Sequence, residues 1–105
     1  MWRPDGSAMS DFMERMLVDR TGQEIGTVDD VIGDPFDLQP EWLVVKLGRF
    51  AGEHLVPVAV VEDQGDRLVA RTDKEHVKSS PKVKQHTAPM GSERDAVYRH
   101  YGIAS

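Results

Sequence analysis

"VDRTGQEIGTVDDVIGD", residues 18–34, decides how this chain is read. It holds Gly22, Gly26 and Gly33 together with Asp19, Asp29, Asp30 and Asp34. Glycines so spaced can cradle a phosphate, and clustered carboxylates can hold a metal. Neither pattern is met here. A phosphate loop needs G-x-x-x-x-G-K-[ST] or G-x-G-x-x-G between a strand and a helix, whereas "GQEIG" carries Glu24 and leads into a strand. The D-x-D-x-D-G spacing of a calcium loop is absent. Adjacent strand residues point to opposite faces, so Asp29 and Asp30 cannot both ligate one ion without a bulge. The stretch therefore reads as a β-hairpin. Asp19 and Thr21 bond local backbone, and Gly22 supplies the turn. Gly26 marks a bulge or bend, and Gly33 is the exit into a loop. Whichever of Asp29 and Asp30 turns inward must find a partner or sit wet at the rim.

Working outward, "DPFDLQPE" is a loop and "WLVVKLG" the clearest strand. "LVPVAVV" is a further apolar run, in which Pro57 lacks an N–H and asks for an edge or bulge. "EDQGD" turns the chain, and "RLVART" is a short final strand. Thirteen valines against six leucines suit strands, because Cβ branching fits a pleated surface. Five short strands with short connections predict a mainly β fold, a five-stranded antiparallel meander that closes, or nearly closes, into a small barrel. A short helix over residues 10–17 competes, since Phe12, Met13, Met16 and Leu17 follow Ser10 at helical spacing. Residues 73–79 predict one helical turn with Val77 inward. Ser92 and Asp95 make a capping pattern, and Gly102 sits where a helix stops, so a short C-terminal helix follows. It is too short to persist alone and must dock, with Val97 and Tyr101 on one face. The expected organisation is a flexible leader (1–13), a β-barrel domain (14–79), a proline-containing arm (80–91), and a helix with its tail (92–105).

The 105 residues suffice for one domain with a real core. Cysteine is absent, which removes disulfides, thiolate nucleophiles and zinc-thiolate sites. No apolar run reaches membrane-span length, and the first residues lack a secretory h-region, so a cytoplasmic protein is expected. Charge is uneven. Residues 1–63 carry 13 acids and 5 bases, net −8, and residues 64–105 carry 5 acids and 8 bases, net +3.

"MLVDRTGQEIGTVDDV", "WLVVKLG", "LVPVAVV", "GDRLVART" and the terminal "YRHYG" together resemble the PRC-barrel family, over roughly residues 16–103. That family includes the cytoplasmic barrel of the photosynthetic reaction centre H subunit and the C-terminal domain of a ribosome maturation factor. The resemblance implies a small, partly open five-stranded meander barrel acting as a non-catalytic module that binds proteins or assemblies. It brings no catalytic residues with it.

The residues agree with that expectation. His54, His76, His86 and His100 form no H-x-x-x-H pair and read as surface or cap histidines, so no metal ligand and no cofactor is expected. Ser79, Ser80 and Ser92 lie in plain loops, without a nucleophile elbow. Trp42 either plugs a barrel end or faces a partner. Phe36, Trp42, Phe50, Val97, Tyr98 and Tyr101 are the candidate interface residues. One of the two tyrosines is expected to pack on the barrel and the other to present a surface. The expected partners are a second copy, as a homodimer joining oppositely charged halves, and another protein. The alternative is RNA or ribosome binding through the basic arm 71–86, net +3 but without an aromatic residue for stacking.

Overall fold

The computed structural model describes residues 11–34, 36, 39–48 and 52–103. Among the described residues six strands run in chain order: β1 Met16–Val18, β2 Glu24–Gly33, β3 Pro40–Lys46, β4 Glu53–Pro57, β5 Val61–Asp63 and β6 Leu68–Ala70. Two helices follow, α1 Lys74–Lys78 and α2 Ser92–His100. The sheet order is β4-β3-β2-β1-β6-β5. The first four strands form the expected antiparallel meander. The β5–β6 hairpin then folds back and lays β6 parallel to β1. The result is a mainly β, barrel-like sheet that does not close.

Six strands stand where five were expected, because the run Leu55–Val61 is divided. Pro57 ends β4, the backbone tightens into a 3₁₀ turn over Val58–Val60, and β5 resumes at Val61. The helix weighed for residues 10–17 does not form over its described part, 11–17. Asp11–Glu14 make a turn, Glu14 sits at φ 63°, and the chain enters β1 two residues later.

Both faces of the central strands are buried, which is why β3 reads as a continuous apolar run. Alternation sends Leu43 and Val45 to an inner cluster with Leu17, Ile25, Val28 and Val56, which Val77 of α1 also joins. Trp42 and Val44 go to an outer cluster with Ile32, Leu55, Val97 and Tyr98. Helix α2 therefore caps the sheet's second face, with the rings of Trp42 and Tyr98 stacked 6.2 Å apart. Both tyrosines pack inward. Tyr98 is 9% exposed, and the Tyr101 hydroxyl donates to the Leu55 carbonyl at 2.8 Å.

The end of α2 matches the sequence reading and its start does not. Gly102, at φ 71°, donates to the Arg99 carbonyl, and Ile103 N–H reaches the Tyr98 carbonyl, the paired bonds of a Schellman stop. At the other end Gly91 holds the capping place at φ 59° and ψ −126°, a conformation open to glycine. Ser92 is thus the first helical residue, and no side chain caps the helix. Between the helices the arm lies along β4. Val83 N–H donates to the Glu53 carbonyl, and Lys82 bridges to His54, covering the sheet edge.

Candidate functional site

The opening stretch owes its shape to Asp19. This carboxylate is 2% exposed. One oxygen accepts the N–H and hydroxyl of Thr21 and the N–H of Gln23, and the other accepts the N–H of Lys74. One side chain therefore ties the β1–β2 turn to the start of α1. Those bonds, the Thr21 hydroxyl foremost, hold its pKa below the usual carboxylate range despite burial.

Farther along β2 the pairing slips. Val28 pairs with Val45 and Asp30 with Val44, so Asp29 is an extra residue without an opposite number. Such a bulge rotates the strand locally. It supplies the exception left open by the sequence: Asp29 and Asp30 do not divide between core and solvent. Asp29 is exposed and Asp30 is half-buried at the rim. Asp30 faces the same side of the sheet as Val44, while Glu53 pairs with Lys46 at the start of β4.

The arm brings His86 over this corner. Its Nδ1 lies 2.9 Å from Asp30 Oδ2 and its Nε2 lies 2.9 Å from Glu53 Oε1. An imidazole nitrogen, an Asp29 oxygen and a Glu53 oxygen lie within 4.8 Å of one another. Three carboxylates thus crowd one imidazole. The Glu53 bond, with that of Asp30, raises the His86 pKa against a smaller opposing effect of burial. The arrangement can hold a cation between bases, whether a proton or a metal.

Of the other histidines His54 departs from a surface reading, whereas His76 is exposed and His100 half-buried. His54 is 2% exposed, and its Nδ1 lies 3.0 Å from both the carbonyl and the hydroxyl oxygen of Ser80. His76 and His100 stack on each other where α1 meets α2. These pairings join residues more than twenty positions apart, which local pattern does not reveal. One trace of the bulge was readable. Val28 and Val31, three apart around two aspartates, both enter the inner cluster and so break the two-residue period of a plain strand.

The candidate interface residues are dispersed. Trp42, Val97 and Tyr98 are covered by the chain itself. Tyr98 donates its hydroxyl to Glu41 while Arg94 lies 4.4 Å over its ring. Burial first, then Glu41, pushes the Tyr98 pKa up to about 12. Tyr101 is half-buried. Phe50 lies outside the described residues. Phe36 is 92% exposed, its N–H held by Asp34 Oδ1 at 2.8 Å in a tight side-chain turn. A groove of about 600 Å³ runs between the arm and α2, lined in part by Leu55, Val83, Ala88, Met90 and Val97.

Among the described residues no helix is long and apolar enough to cross a membrane. No curated protein matches the chain. The family model of the PRC-barrel domain, in general a non-catalytic module, matches residues 4–77. The match takes in all six strands and ends at Val77, short of the arm and α2, to which the sequence resemblance extends. With most of its length matched and its sheet of the expected kind, this chain belongs to the PRC-barrel family.

Proposed function

We propose that this protein is a non-catalytic interaction module that associates with a second copy of itself, with Phe36 as the main contact. The observation that carries this reading is the exposure of Phe36, 92%, on a turn fixed by Asp34. Covering such a ring contributes about 1.5–3 kcal/mol, and a braced turn loses little entropy on binding. The opposite net charges of the two parts of the chain, −8 and +3, favour pairing between copies. The general character of PRC-barrel domains as modules agrees with it. A cytoplasmic location is part of the same proposal.

RNA binding through residues 71–86 ranks second. The end of that segment is already engaged with its own chain, His86 on Asp30 and Glu53 and Lys82 beside His54.

Sedimentation velocity over a concentration series at low salt tests the proposal. The wild type should shift from monomer to dimer as concentration rises, and Phe36→Ser should remain monomeric over the same range. A wild type that stays monomeric throughout removes self-association. A Phe36→Ser variant that dimerises equally well removes the assigned contact.

A further inference from the structure

We propose that Asp29, Glu53 and His86 form a binding site for a divalent transition-metal ion of the zinc type, with Asp30 as the residue that orients the imidazole. The three ligands come from separate parts of the fold: the β2 bulge, the start of β4 and the arm. Their donor atoms already lie within 4.8 Å of one another, before any ion draws them in. Zinc bonds to nitrogen and oxygen of about 2.0–2.2 Å place neighbouring tetrahedral ligands about 3.4 Å apart. Glu53 and His86 stand at 2.9 Å, so the closest pair need only open slightly while Asp29 closes.

The orientation of His86 is the more telling point. Metal-bound imidazoles as a rule donate their second ring N–H to a carboxylate, a backbone carbonyl or a water, which fixes the ring and raises its basicity. Here Nδ1 meets Asp30 and Nε2 is directed at Glu53, so the orienting bond is in place before the metal. The ion would displace the proton shared between Nε2 and Glu53, and that proton leaves to solvent. Imidazole nitrogen beside two carboxylates favours zinc, nickel or cobalt over magnesium or calcium, which prefer oxygen alone. The exposure of Asp29 leaves a coordination position facing water. Three ligands from three segments would also fasten the arm to the sheet.

The test is a calorimetric titration of the full untagged chain with zinc chloride, paired with heteronuclear NMR of the histidine rings. One equivalent of zinc should bind, and the His86 ring signals should move while those of His76 and His100 stay. Glu53→Gln and His86→Ala should each weaken binding at least a hundredfold. Asp30→Asn should weaken it about tenfold, and His76→Ala should leave it unchanged. Should His86→Ala fail to fold, the ring shifts of the wild type and the Glu53→Gln titration decide alone. Absence of zinc binding at millimolar concentration, zinc-induced shifts confined to His76 and His100, or full affinity in Glu53→Gln would each overturn the proposal.

Discussion

The imidazole rings of His76 and His100 lie face to face, 4.1 Å between centroids and 13° from parallel. Each Nε2 meets the backbone carbonyl oxygen of the other residue, at 2.5 Å from His76 and 2.7 Å from His100. Both nitrogens must therefore carry a proton and donate. Tyr101 meets both rings edge-on. This reciprocal clasp joins α1 to the last turn of α2. His76→Ala should lower stability by about 1 kcal/mol, the usual worth of one hydrogen bond and a ring contact. The double variant with His100→Ala should lose less than the sum of the two singles, measurable by urea unfolding.

Gly26 and Gly22 should respond differently to alanine. A Cβ at Gly26 would stand 2.2 Å from the Lys46 carbonyl oxygen, backbone that cannot swing aside. Gly26→Ala should cost about 2–3 kcal/mol through overpacking. Gly22 has nothing within 4 Å of its would-be Cβ and is constrained only by φ of +89°. Gly22→Ala should cost about 1 kcal/mol, the penalty of a left-handed backbone. Reversing that order in chemical denaturation would contradict the β2–β3 packing.

The glycines also show how far sequence carries. A glycine inside an otherwise good strand announced a bulge beside Gly26, and the pairing of β1 with β2 does slip between Leu17 and Val18. Turn residues, strand runs and the Gly102 helix stop are local signals, legible because a few neighbouring residues determine them. The site is not local. His86 reaches Asp30 across 56 positions and Glu53 across 33, and only the bulge at Asp29 with the return of the arm brings them together. Trp42 could be read from sequence as core or as partner-facing, because the helix that makes it core could not be placed from its own nine residues.

Acid should unfold the protein partly through Asp19. Its folded pKa is depressed, so its ionised form stabilises the fold above the ordinary carboxylate pKa. That contribution is lost as pH falls through the lower folded value. Asp63, held down chiefly by Arg15, acts in the same sense but is more exposed and better screened. Asp19→Asn should reduce stability at neutral pH by about 2 kcal/mol and flatten its decline below pH of about 4. Thermal unfolding followed across pH checks both.

Trp42 is 1% exposed, and among the described residues its indole N–H has no hydrogen-bond partner. Removing that donor offsets part of the lost volume. Trp42→Phe should therefore cost under about 1.5 kcal/mol, whereas Trp42→Ala should cost about 3–5 kcal/mol. Guanidinium unfolding separates the two outcomes.

The outer cluster has a consequence in time. All six strands exist once Ala70 is made, but the helix that covers Trp42, Val44 and Leu55 is complete only at His100. At translation rates of about 5–20 residues per second, a nascent sheet waits on the order of seconds with one apolar face bare. During synthesis that face is the natural foothold for a chaperone, and any stop codon between α1 and α2 would make the exposure permanent.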